Sequence, residues 1–148
     1  MTIEVTNYIL HEDISILEMA EAVPLDKYSN IKPICLPDNS ADFTDYVATT
    51  TGWAYNGVNG YNSWLHENYV TVSENGDKTK LSGKIANNSA CYGDMGGPLV
   101  VSDPANNNGL TLAGVSDNND CKTFTKVSMY TDWITSVIDD SNLCPSPP

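Results

Sequence analysis

The chain has 148 residues, a formal net charge of −12 and an isoelectric point near 4.1. That length suits one domain with a hydrophobic core, and 41% apolar with 18% charged residues fits a folded β-rich chain rather than a disordered one. The acidic balance argues against nucleic acid as a partner, and the sequence shows neither a transmembrane-length apolar run nor a signal-peptide opening, so no membrane span is expected.

Taken in chain order, Ile3 to Leu10 reads as a strand, and Asp13 to Met19 alternates weakly as a second, buried one. Val23 to Pro33 has the turn chemistry of a connector and ends in Ile34-Cys35-Leu36-Pro37. Asp38 to Asp42 is loop-like. Tyr46 to Thr51 is rich in β-branched residues and predicts a strand ending at Gly52-Trp53. Asn56-Gly57 and Asn59-Gly60 mark tight turns, and Leu65 to Ser73 alternates as a further strand. Asn75-Gly76 is a hairpin signal, whereas residues 74–90 are polar and carry no clear period. Leu99 to Ser102 and Leu110 to Ser116 flank the loop Asp103 to Gly109, and Thr123 to Val127 is the last predicted strand.

Only the end reads as a helix. Ser128 is a candidate cap, and Tyr130, Trp133, Ile134, Val137 and Ile138 share one apolar face. Asp139 and Asp140 sit at the unfavourable end of its dipole. Pro145-Ser146-Pro147-Pro148 reads as a disordered tail. Many short strands with regular turn signals predict an all-β barrel or sandwich.

Cys35, Cys91, Cys121 and Cys144 are too dispersed for a zinc finger, so the reading is no metal, no cofactor and two disulfides in an oxidising, secreted setting. Four cysteines allow three pairings. Asn87-Asn88-Ser89 is a glycosylation candidate at Asn87.

The most informative segment is Cys91-Tyr92-Gly93-Asp94-Met95-Gly96-Gly97-Pro98. Gly-Gly-Pro alone would indicate no more than a turn beside a cysteine. The full string, continued by Leu99-Val100, resembles the nucleophile loop of the chymotrypsin/trypsin family of serine proteases, with Met95 at the serine position. Further segments carry the same resemblance in family order: His11 to Leu17, Ile34 to Pro37, Thr51-Gly52-Trp53, Leu65-His66-Glu67, and Lys126 to Ile134. The resemblance implies an antiparallel β-barrel, the C-terminal barrel of a double-barrel fold, with a C-terminal α-helix. It divides residues 1–144 into remnant strands and an inter-barrel connector (1–37), the barrel (38–127) and the helix (128–141), ahead of the tail 145–148.

The site residues follow from the same resemblance. Asp13 falls on the triad aspartate, which orients an imidazole and stabilises its charged form. No Ala-Ala-His-Cys segment supplies that imidazole, which leaves Asp13 with no evident client. His11 lies two residues away and reads as an ordinary surface histidine; His66 reads as structural. A thioether has no proton to give a base, so Met95 cannot replace the serine hydroxyl. Gly93, Asp94 and Met95 form an oxyanion-hole remnant, with Asp94 hydrogen-bonded in its own turn. Ser116, Asp117 and Asn118 replace the family's Ser-Trp-Gly substrate strand, and Ser89 stands where primary specificity is set; together they read as a degraded pocket.

Cys91 and Cys121 match a family disulfide. Another family pair is absent on both sides, Ala48 and Val101 taking its positions. Cys35 bridges, in many relatives, to a segment with no match here; it is assigned to Cys144, with a separate chain as the alternative. The resemblance therefore implies a non-catalytic, secreted homologue acting by protein binding, its partner a protease, a protease substrate or an N-terminal chain. The alternative is the C-terminal portion of an endopeptidase silenced at Met95. Alkylation under denaturing conditions is expected to label no cysteine before reduction and all four afterwards; two reactive thiols before reduction would contradict the cysteine reading.

Overall fold

Alternation of period two turns into strand pairing through most of the chain. The structure, a computed structural model, describes residues 1–53, 64–85, 93–107, 109–118, 122–139 and 144. Six antiparallel strands close into a barrel: β3 (Val47–Gly52), β4 (His66–Glu74), β5 (Lys80–Ile85), β6 (Pro98–Asp103), β7 (Gly109–Ser116) and β8 (Thr123–Lys126), in the spatial order β3-β4-β5-β8-β7-β6. Ahead of them, β1 (Val5–His11) and β2 (Ile14–Met19) form a two-stranded sheet and, among the described residues, pair only with each other. The helix α1 (Thr131–Ile138) is the last described element.

The barrel fills itself with inward-pointing residues. Ala48 of β3, Val70 and Val72 of β4, Leu81 of β5, Leu99 and Val101 of β6, Ala113 of β7 and Phe124 of β8 form one buried cluster closed by Phe43. Alternation decides which residues enter: Ala48 is fully buried while its neighbour Val47 is 66% exposed. Ala48 and Val101, which the resemblance places on a lost cysteine pair, are both core residues here. Gly114 lets β7 lie close to Phe124, where an added Cβ would stand 3.0 Å from that side chain's Cβ.

A second buried cluster lies outside the barrel. Val127, Tyr130 and Ile134 collect Ile14 and Ile16 from β2, Leu36 from the connector, Leu112 and Val115 from β7, and Trp133. The connector is fastened along β7: Cys35 N–H donates to the Leu110 carbonyl (3.3 Å) and Leu112 N–H to the Cys35 carbonyl (2.9 Å). Thr131 Oγ1 donates to the Pro37 carbonyl (2.9 Å), and a Cys35–Cys144 disulfide ties the connector to the chain's end across a separation of 109 residues. Closing so long a loop contributes roughly 4–5 kcal/mol through the unfolded state. The pairing agrees with the sequence assignment; Cys91 and Cys121 lie outside the described residues.

Several loops use acidic side chains as local caps. Asp38 accepts from Ser40, Asp42 from Thr44 and Asp77 from Thr79, each through backbone N–H and hydroxyl. The hydroxyl hydrogen bond, then the backbone one, holds each of these carboxyls below its ordinary value. Their contribution is therefore present above that value and lost as pH falls through the lowered one.

The structure corrects the sequence reading in places. Residues 80–85, within the stretch that carried no clear period, form β5, and Pro104–Asn106 within the predicted loop is a short 3₁₀ turn. Ser128 does not cap the helix; it is buried in a 3₁₀ turn, Val127–Met129, and α1 starts at Thr131 with no side-chain cap. The Val127 carbonyl accepts from Tyr130 N–H (2.9 Å), so backbone continues into the helix where a cap was expected. Asp13 is a turn residue, since β2 begins at Ile14. In urea denaturation, Phe124→Ala is expected to lower the unfolding free energy by about 3–5 kcal/mol. Val47→Ala, at an exposed site one strand-face away, is expected to stay within about 0.5 kcal/mol.

Candidate functional site

The glycines of residues 93–97 shape a tight turn at the end of β7. Gly93 and Gly96 have φ of +96° and +84°, a region costly for side-chain-bearing residues. Gly96 N–H donates to the Ser116 carbonyl (2.8 Å), Ser116 N–H to the Gly97 carbonyl (2.9 Å), and Gly97 N–H to the Asp94 carbonyl (2.9 Å). A Cβ on Gly97 would meet the Asp94 carbonyl oxygen at 2.8 Å. Gly52 has no room for a side chain either, because the Asp94 carboxyl occupies that space. The Asp94 carboxyl thus reaches across to β3. Met95 sits at the apex, 59% exposed.

Asp13 does have a client, and it is a cation. The two-residue turn Glu12–Asp13 brings Asp13 Oδ2 to 2.8 Å from Lys80 Nζ. Asp117 Oδ2, just past β7, lies 3.1 Å from the same ammonium, and Lys80 Nζ also donates to Thr125 Oγ1 (3.2 Å). Lys80 and Thr125 are paired residues of β5 and β8, so the sheet register aims both side chains at one point. The Lys80 side chain is only 13% exposed. Burial pulls its pKa down, but hydrogen bonds and charge from Asp13 and Asp117 outweigh burial and leave it above its ordinary value. Two carboxylates against one ammonium leave the cluster net negative, and among the described residues Asp117 Oδ1 is buried without a hydrogen-bond partner.

His11 stacks on Trp133, ring centres 4.7 Å apart, and meets Tyr130 edge-on at 5.9 Å. It is packed rather than simply surface, and it helps seat the β1–β2 hairpin. His66 is exposed at the start of β4. Tyr130 donates to Glu12 Oε2 (3.2 Å), and burial, then that hydrogen bond, pushes the phenol up.

These residues border an open groove of about 640 Å³ between the hairpin and the barrel. Asp13, Lys80, Met95, Gly96, Ser116 and Asp117 line its polar side; Leu17 and members of the second apolar cluster such as Ile14, Ile16, Leu36 and Ile134 line the rest. Ser116 is buried and donates to the Asn118 carbonyl (2.9 Å), so the strand Ser116–Asn118 ends in a local turn. Asp13, Met95, Ser116 and Asp117 are therefore brought to one place. Asn87, Ser89, Cys91 and Cys121 lie outside the described residues. Among the described residues there is no group of three or more His, Cys, Asp or Glu suited to a metal, and no helix is long and apolar enough to cross a membrane.

Lys80 is the residue that sequence reasoning missed. Leu81, Gly83 and Ile85 do alternate beside it, but glycine and two lysines are poor strand formers and hid the period.

With this geometry in place, comparisons with known proteins define the class. The trypsin family model matches residues 2–134. The chain is 30% identical to vitamin K-dependent protein C of Oryctolagus cuniculus, over 92% of this chain and 35% of that protein. It is 34% identical to the serine protease filzig of Drosophila melanogaster, over 84% of this chain and 9% of that protein. Against the trypsin of Phaedon cochleariae it is 28% identical, over 88% of this chain and 60% of that protein. The chain belongs to the trypsin family of serine proteases and spans about a third of the protein C that it matches, and less than a tenth of filzig.

The raised Lys80 pKa sets a pH window. Its stabilising contribution is complete below the ordinary value of 10.5 and is lost as pH rises through the raised one. Tyr130 acts in the same direction. Urea midpoints measured from about pH 9 to about pH 12 are expected to fall more steeply in the native chain than in Lys80→Met. Parallel curves would contradict the placement of Lys80.

Proposed function

We propose that this chain is a non-catalytic member of the trypsin family, secreted, that acts by binding protein. The observation that carries the reading is Met95, the thioether at the position of the attacking hydroxyl. In a serine protease, loss of the nucleophile alone removes about six orders of magnitude of turnover. The oxyanion donors that the resemblance places at Gly93 and Met95 would then have no developing charge to stabilise. Lys80 supports the same reading: the carboxylate matched to the triad aspartate already holds a permanent cation, where catalysis needs an imidazole that takes up and releases a proton. Asp117 adds negative charge where the family strand presents a flat aromatic, which disfavours the family's mode of peptide binding. The Cys35–Cys144 disulfide fits an oxidising, extracellular setting.

The test is hydrolysis of peptide and ester substrates, with labelling by a serine-directed phosphonate. No turnover and no adduct are expected for the native chain. Met95→Ser alone is also expected to stay inactive, because a hydroxyl without a neighbouring base is a weak nucleophile. Stoichiometric labelling within residues 93–97 of either protein would overturn the proposal.

A further inference from the structure

A second pocket, of about 390 Å³, opens beside the turn between β4 and β5. That volume lies within the range of small-ligand sites. All its lining residues fall between Thr44 and Met129, so the closed barrel and its own loops form it. Three of the chain's seven cationic side chains, Lys78, Lys80 and Lys126, line it. Backbone pairing brings them together. Lys126 N–H donates to the Thr79 carbonyl (2.8 Å), which sets Lys78 beside the end of β8. Thr125 meets Lys80 Nζ, so strand alternation turns the next residue, Lys126, the other way and into the pocket.

Two of these ammoniums are left for a ligand. Lys80 is committed to Asp13 and Asp117, whereas Lys78 and Lys126 make no ion pair among the described residues. Nearby carboxyls are engaged in their own turns: Asp42 accepts from Thr44 and Asp77 from Thr79, and Lys126 acts on Asp42 only through space. Lys126 is half-buried. A partly buried ammonium without a counter-charge is costly, so the site favours an anion. The remaining lining narrows which anion. Leu81 and Met129 present apolar surface, and Glu74 places a negative charge at the same pocket. Glu74 opposes a second charge on the ligand, and a chain of net charge −12 repels a polyanion.

We propose that this pocket binds a single carboxylate next to an apolar side chain, as an acidic residue of a partner protein presents it. Lys78 and Lys126 hold the carboxylate, and Leu81 and Met129 take the apolar neighbour. The inference rests on the protein-binding function proposed above, to which it adds a place and a ligand chemistry.

The probe is acetyl-Leu-Glu-Leu amide, whose one charge is the glutamate, with acetyl-Leu-Gln-Leu amide as its control. Both are titrated into the ¹⁵N-labelled chain of 148 residues. Amide shifts are expected at residues 74–81 and 126–129, with the glutamate peptide binding at least about tenfold more tightly than its control. A Lys78→Gln, Lys126→Gln double variant is expected to weaken that binding at least about tenfold. A Lys32→Gln, Lys84→Gln variant removes the same charge at two exposed sites outside the pocket, and is expected to leave binding within about twofold. Neither variant removes an ion pair among the described residues, so both are expected to keep the barrel spectrum.

Equal binding of the two peptides, no shifts at about 5 mM peptide, undiminished binding in the Lys78, Lys126 variant, or an equal loss in the charge-matched variant would overturn the proposal. So would inorganic sulfate or a sulfated disaccharide binding more tightly than the glutamate peptide, which would make this a plain anion site. Sodium acetate binding as tightly as the peptide would give the site to small carboxylates and remove the protein partner from it. Hydrolysis measured on the same samples separates the two ideas: an active chain that binds the peptide here removes the non-catalytic reading alone, and an inactive chain that does not bind removes the pocket alone.

Discussion

One ammonium group holds the hairpin, the barrel and the groove in register. Lys80 Nζ reaches Asp13 from the β1–β2 turn, Asp117 from the end of β7 and Thr125 on β8. A lysine as buried as this one is costly unless its charge is met, and the three partners meet it from three directions. Their attraction fixes where the turn sits, which decides how Ile14 and Ile16 enter the second apolar cluster. The Tyr130–Glu12 hydrogen bond and the His11–Trp133 stack fasten the same hairpin to the helical end of the chain. Polar and apolar contacts thus act on one hinge, and the groove exists because they leave its mouth open.

The same contacts bear on chemistry. A trypsin-like turn is formed by residues 93–97, with Ser116 at the end of β7 bonded to Gly96 and Gly97, just after Met95. Such a turn can present N–H groups to developing negative charge, but rate enhancement needs a group that attacks and a group that moves the proton. Here the apex is a thioether and the nearby carboxylate is held by a lysine. On the proposed reading, a family scaffold released from catalysis is free to change the strand that the resemblance assigns to substrate, and Asp117 in the lysine cluster is such a change. Membership of the trypsin family and the proposed loss of its reaction are compatible, because the fold depends on the barrel core while the reaction depends on a few side chains at its rim.

Much of the barrel was legible in the sequence because its strands alternate cleanly. Val70 and Val72, Leu99 and Val101, and Ala113 each stand at period two on strands of adequate length, and all are buried. The strand at Lys80–Ile85 was not legible, since Gly83 and two lysines depress the local strand signal and only pairing with β4 and β8 reveals it. The helix start was misread for a related reason: Ser128 has capping chemistry, yet its position between β8 and α1 buries it in a 3₁₀ turn. Within the site, Met95 and Asp13 were identified by their place in motifs. Lys80 belongs to no motif and is assembled by contacts 67 and 37 residues apart in sequence, from Asp13 at one side and Asp117 at the other. Long-range electrostatic partners of this kind leave no local pattern to read.

A double-mutant cycle on Asp13→Ala and Lys80→Met tests the central contact most directly. Asp13 is 56% exposed, so solvent screens part of the attraction, and a coupling free energy of about 1 kcal/mol is predicted from unfolding of the four proteins. Strict additivity, within about 0.3 kcal/mol, would mean that the aspartate and the lysine do not hold one another, and the account of this hairpin and its site would fail.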